Sequence, residues 1–299
     1  MMTESFRSNP GSVLIWQWRN ALYYAIAGAA AWALIVPAGL KELQLPVTPI
    51  SVVGAAIGIF ASFRANQAYD RWWEGRRLWG GLVNASRHWA SQVLAYLPAD
   101  EAPLAEALVL RQVTFVHALR CRLRGQTPWE DPDFRRVGED TPALRGSTNL
   151  TAALLLAQLR ALAALSDRGG LDPHRLASLD RTLTELIGLQ GGCERIQGTP
   201  LPRGVGFILV LLINTFAIFL PFALVHDLGW VAVPVNVVVC LAFALISEAG
   251  RVLEDPFNLF YNGLPLHDLS IKIERNLREA LGHTALPAPV AVQPPGVLM

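Results

Sequence analysis

Charge is scarce in this chain. Only 16% of its 299 residues are Asp, Glu, Lys or Arg, while 52% are hydrophobic. An ordinary soluble domain carries about 25% charged residues. The shortfall is uneven, because long uncharged runs alternate with Arg-dense segments. That block pattern excludes a uniformly apolar soluble domain and points to a membrane protein. Lysine is nearly missing: Lys41 and Lys272 are the two Lys among 25 basic residues. Arg and Lys both serve on a solvated face, so this reads as compositional bias. The net charge is +1, which gives no basic excess to recruit nucleic acid. Cys121, Cys193 and Cys240 are scattered and odd in number, with no CxxC or Cys/His zinc spacing, so a disulfide framework is not expected. The six His include no HExxH pair. No GxSxG, Gly-rich phosphate loop or activated Ser, Cys or Lys occurs, so neither an enzyme nor a cofactor is expected.

What is present is four long uncharged runs: Ala21 to Leu40, Pro46 to Phe63, Gly204 to Val225 and Gly229 to Ser247. Each matches a hydrocarbon core of about 30 Å when helical. The N-terminal segment carries Arg7 and Arg19 ahead of the first run. That run outlasts a signal-peptide core, so it reads as a retained anchor. The connections at 41–45 and 226–228 hold one basic residue, Lys41, and every other Lys and Arg falls in the N-terminal segment, in 64–203 or in the C-terminal tail. Basic residues favour the cytoplasmic side. Four spans with both termini inside account for that partition.

The expected organisation is therefore a segment 1–63 with spans one and two, a helical cytoplasmic domain 64–203, spans three and four in 204–247, and a cytoplasmic segment 248–299. Within 64–203, Ala85 to Tyr96, Ala102 to Leu123 and Thr151 to Leu165 repeat apolar residues at helical spacing. Gln126 to Ser147, rich in Pro, Gly, Asp and Arg, reads as an exposed loop. Asp172-Pro173 reads as an N-cap followed by Pro in the first turn. The helix it starts is expected to end near Leu189, before Gly191-Gly192. The Pro- and Ala-rich tail after Gly282 is expected to be disordered. The fold class is all-α.

The second run continues without Pro through Phe63-Arg64-Ala65-Asn66 to Tyr69-Asp70-Arg71-Trp72-Trp73-Glu74 and Leu78-Trp79-Gly80. A single helix leaving the membrane fits it. Trp, Tyr and Arg at that depth also suit an ordinary interface belt. Ala55, Ile59 and Phe63 stack on one helix face, extended by Val52 and Asn66. Periodicity alone suits lipid or helix packing as well as a pore. Gly54, Ala56, Gly58, Ala61 and Ser62 on the neighbouring faces permit close helix approach.

The block from Thr48-Pro49-Ile50-Ser51 through Trp79-Gly80 resembles the prokaryotic branch of the bestrophin family. So do Gly192-Cys193-Glu194-Arg195-Ile196 with Thr199-Pro200-Leu201-Pro202, and Glu254-Asp255-Pro256-Phe257 with Leu264-Pro265-Leu266. The likeness covers about residues 10 to 280. It implies a homopentameric ion channel of the bacterial inner membrane, embedded in lipid and passing inorganic ions. The second span of each copy would line an apolar neck at Ala55, Ile59 and Phe63, with Ala55 smaller than is usual there. A cytoplasmic exit constriction would fall at His174, in the Asp172-Pro173-His174 context. The acidic run of animal calcium clasps is reduced to Glu254-Asp255, too few oxygens for a calcium site unaided; capping or ion pairing is the expected role. The ion's sign stays open between chloride or another anion and a monovalent cation. Arg64 favours anions if it faces the axis, and says nothing if paired with Asp70 or Glu74. A secondary transporter or a non-conducting scaffold are the alternatives. The spans lack the interior ionisable groups that coupled carriers use.

Overall fold

The computed structural model describes residues 17–137, 142–259 and 262–291. Its helices, in chain order, are α1 (Trp18–Ile35), α2 (Val47–Tyr96), α3 (Ala102–Leu123), α4 (Pro132–Val137), α5 (Pro142–Arg145), α6 (Leu150–Asp167), α7 (Pro173–Gly198), α8 (Arg203–Leu228), α9 (Ala232–Leu253) and α10 (Leu266–Ala280). No strand occurs among the described residues. The chain forms two compact units. One holds the described chain up to Trp72 together with Pro200–Asp255. The other holds Trp73–Thr199 and the chain from Pro256 on. The 50 residues of α2 form one unbroken helix that contributes to both.

In the first unit, α1, α8 and α9 pack on one another. The first part of α2 joins them through Ile57 and Ala61, which are buried with Tyr24, Leu209, Ile213, Phe216 and Cys240. Small residues set how near the helices come. A Cβ on Gly28 would lie 3.1 Å from Val233 Cα, and one on Gly54 would lie 3.0 Å from the Phe216 ring. Among the described residues, three helical stretches are long and apolar enough to cross a membrane by length and composition: Val47–Tyr96, Leu150–Asp167 and Gly204–Leu253. The last turns back at Gly229, whose φ of +54° favours glycine, and so divides into α8 and α9. α1 ends at Ile35, earlier than the uncharged run suggests. Val36 still has helical backbone and its N–H bonds to the Trp32 carbonyl, but Pro37 offers no N–H to continue the ladder.

One buried side chain ties three helices of this unit together. Asn236, fully buried in α9, donates from Nδ2 to the Tyr24 carbonyl of α1 at 2.9 Å and to the Ala217 carbonyl of α8 at 3.1 Å. Ala217 has a specific need for it. Its regular partner four residues on is Pro221, inside α8, which has no N–H. The Asn236 amide stands in for the missing donor, as a buried carbonyl requires.

The second unit is built on the latter part of α2 with α3, α6, α7 and α10. Trp79, Trp89, Leu108, Phe115, Leu162, Leu186 and Ile273 are among its buried residues. α6 packs on α3 and α7 here. Its apolar residues Leu154, Leu155, Leu162 and Leu165 are buried in this core. Asn149 caps α6, accepting from the Ala152 N–H at 3.1 Å.

Three sequence expectations need correction. α7 does not end before Gly191-Gly192 but runs to Gly198. Gly192 is a packing residue: a Cβ there would lie 2.8 Å from the Leu78 side chain of α2, and Gly81 has the same relation to Leu189. The 126–147 segment is not a plain exposed loop. It contains α4 and α5 and buries Phe134, which meets Trp129 edge-on at 5.0 Å. The tail lacks regular structure after Gly282 but is ordered through Ala291 beside Asp133, Arg136, His267 and Ile271. Its last part, 292–299, lies outside the described residues, as does the Arg7 segment.

Candidate pore-lining face and ion-pair network

The helical repeat of α2 sorts its apolar residues into two faces. Ile57 and Ala61 are buried, at 1% and 0% exposure. Val52, Ile59 and Phe63 are 65%, 60% and 63% exposed. Ala55, Gly58, Ile59, Ser62, Phe63 and Asn66 line an open concavity of about 400 Å³. Thus Ala55, Ile59 and Phe63 share one uncovered surface within the first unit. An apolar stripe of this kind needs lipid or another protein surface against it.

Arg64 lies one residue beyond Phe63 but does not join that surface. Its guanidinium reaches Glu254 Oε2 at 3.4 Å, and the carbonyl and hydroxyl of Ser247 at 3.5 and 3.4 Å, leaving its side chain 11% exposed. A Cβ on Gly206 would lie 2.7 Å from it, so that glycine provides its space. Neither Asp70 nor Glu74 is the partner that the sequence offered. Arg71 also turns to the end of α9, donating from Nε to the Glu254 carbonyl at 2.7 Å. Glu254 therefore acts as an ion-pair and backbone anchor, and Glu74 pairs with Arg195 at 2.6 Å in the second unit.

His174 lies in the first turn of α7 and is exposed. Asp172 caps the helix, accepting from the His174 N–H at 2.9 Å and from the Arg175 N–H at 3.3 Å. The cap holds the backbone there and leaves the imidazole unengaged in the described residues.

Sequence reasoning missed a buried charge network in the second unit. Glu274 of α10 is fully buried. It accepts from Arg136 Nη2 at 2.7 Å, from Arg278 Nε at 2.8 Å and from His117 Nε2 at 2.9 Å. Burial pushes its carboxyl upward, but the hydrogen bonds from His117 and Arg136 outweigh that and hold it at about 2. Burial lowers His117, so the imidazole is neutral and donates from Nε2 to Glu274. Next to it, Arg120 bridges Asp131 and Asp133, and His267 reaches Asp133 at 2.9 Å. The His267 bond is the main reason the Asp133 carboxyl lies far below its usual range. His117, Asp131 and Asp133 bring possible metal-ligand atoms within 4.8 Å of one another. Arg120 already spans the two carboxylates, so the cluster is an internally neutralised clasp. With His117 and Glu274 separated by 157 positions in the chain, no local motif announces it.

A family model described as Bacterial/Fungal Bestrophin protein matches residues 2–279. The chain is 34% identical over 246 residues to a voltage-dependent anion channel-forming protein of Ralstonia nicotianae, covering 82% of this chain and 80% of that one. It is likewise 34% identical over 248 residues to one from Escherichia coli, covering 83% and 81%. Among solved structures, it resembles a crystal structure of a bacterial bestrophin homolog from Klebsiella pneumoniae. The TM-score is 0.81 at 31% identity, over 91% of this chain and all of that one.

Proposed function

Since the chain belongs to the bacterial and fungal bestrophin family, and is by that kinship and its apolar helices a membrane protein, we propose that it is one subunit of an ion channel. The observation that carries this reading is the uncovered stripe Val52, Ala55, Ile59 and Phe63 on a helix whose opposite face is packed with Ile57 and Ala61. Copies of the chain, five by family resemblance, bring this stripe together around an axis. Ala55, Ile59 and Phe63 then form the apolar neck. Large apolar rings bind no ion; they set pore width and close by dewetting. Four spans, α1, the first part of α2, α8 and α9, cross the inner membrane with both termini in the cytoplasm. His174 rings the cytoplasmic exit. No step of chemistry is needed, so the activity is passive conduction rather than catalysis.

The permeant ions are small inorganic ones, with anions first, as the names of the relatives say of those proteins. Arg64 contributes little to that preference, because Glu254 and Ser247 engage its guanidinium. Purified protein in a planar bilayer tests the reading. Discrete unitary currents and a five-fold assembly by native mass spectrometry are expected. A monomer that conducts, or an assembly that never does, overturns it.

A further inference from the structure

The stripe that carries Ile59 does not end in apolar residues. At about 100° per residue, Asp70, eleven positions beyond Ile59, returns to within about 20° of it around the helix axis. The rise of an α-helix puts it about 10 Å past Phe63. Asn66 lies between them on the same side and lines the concavity with Phe63. Asp70 is exposed, and among the described residues its carboxylate has no ion-pair or hydrogen-bond partner.

The neighbouring charges behave differently. Between Phe63 and Trp72, α2 has three charged residues, Arg64, Asp70 and Arg71. Both arginines are drawn onto the end of α9, through Glu254 and Ser247. Their charge is directed into the subunit, and the carboxylate is the one directed out. The free charge that follows the apolar neck is thus negative, although the sequence there holds two cations and one anion. The next charge on the stripe is Arg77, seven residues further along the helix.

We propose that Asp70 is a selectivity-determining residue, forming an acidic ring just past the neck that attracts cations and retards anions. This rests on the pore reading above. A ring of like charges in a low-dielectric passage concentrates counter-ions and excludes co-ions. Asp70 therefore admits cations to a pore whose relatives are named for anions, and the ratio of the two permeabilities is set there rather than in the apolar neck.

Reversal potentials under a potassium chloride gradient, for the full chain in planar bilayers, test it. Asp70→Asn should lower the cation-to-anion permeability ratio by roughly tenfold, the low end of the counter-ion enrichment expected of a charged cleft. Asp70→Glu should keep the wild-type ratio. Asp70→Cys allows the charge to be changed after assembly: a cationic thiol reagent should move the ratio toward anions, and an anionic one should restore it. The native cysteines Cys121, Cys193 and Cys240 are all buried, which confines the reagent to the new site. If Asp70→Asn and both modified forms reverse where the wild type does, the acidic ring is refuted. Conductance changes in Ile59→Ala would still uphold the pore in that case. Absence of any wild-type current would instead refute the pore, and this proposal with it.

Discussion

Replacing Asn236 by leucine keeps the volume of the side chain and removes both amide donors. The Tyr24 carbonyl retains the Gly28 N–H of its own helix, one regular turn away. The Ala217 carbonyl has no such regular donor to fall back on, because Pro221 occupies that position. Most of the cost therefore arises at one buried carbonyl. A hydrogen bond between transmembrane helices contributes about 0.6 kcal/mol on average and about 1.7 at most. An unsatisfied buried acceptor costs about 1–3 kcal/mol. Asn236→Leu should accordingly destabilise the folded protein by about 1.5 kcal/mol. Pro221→Ala returns an N–H to Ala217, so in that background the same Asn236→Leu should cost only about 0.5 kcal/mol. The coupling of about 1 kcal/mol is the quantity to measure, by a double-mutant cycle on reversible unfolding in mixed detergent micelles. Equal costs of Asn236→Leu in the two backgrounds would refute the pairing of Pro221 with Asn236. A large cost for Pro221→Ala alone would show that the proline serves another purpose.

Ile59→Ala and Phe63→Ala should raise unitary conductance or weaken closure, since smaller rings wet more readily. Ile57→Ala should leave conductance unchanged and lower stability by about 2–4 kcal/mol, because its side chain is in the core of the subunit; equal effects of Ile57→Ala and Ile59→Ala on current would mean the faces are misassigned. Glu274→Gln should destabilise the second unit by about 3 kcal/mol, since it leaves Arg136 and Arg278 without their buried partner, as thermal unfolding would show. Because the folded-state pKa of Glu274 is depressed, its stabilisation is complete above pH 4.5 and is lost as pH falls toward about 2; an acid-unfolding midpoint equal in wild type and Glu274→Gln would contradict this. His174→Ala should change unitary conductance or the cation-to-anion permeability ratio in planar bilayers, since it removes a ring of polar side chains from the exit constriction. Currents identical to the wild type would remove His174 from the exit.

Much of this molecule was legible without coordinates. The uncharged runs locate α1, α8 and α9 to within several residues, because a helix in hydrocarbon must satisfy its own backbone and present apolar side chains. The Asp172-Pro173 pair marks the start of α7, because a cap acts on N–H groups within three residues of itself. The spacing of Ala55, Ile59 and Phe63 defines one face of a helix. Each of these inferences depends on forces that act along a single element, so the order of residues determines them.

The partners of those elements were not legible. Helical periodicity shows that Ile57 and Ile59 face different ways, but not which of them is covered; Tyr24, Phe216 and Cys240 decide that from distant parts of the chain. Gly191-Gly192 looked like a helix end because glycine weakens helices in isolation. Packing against Leu78 outweighs that preference and makes Gly192 a close-contact residue. Arg64, Asp70 and Arg71 are near neighbours with alternating possibilities for pairing, and Glu254 in α9 draws the two cations inward and leaves the anion outside. Ion pairing depends on which charges come within a few ångströms after folding, and those distances are properties of the packed helices. The sequence alone determined where helices form and which residues share a face; the tertiary structure decided which face is covered and which charge remains free, because burial and Coulomb attraction act through space rather than along the chain.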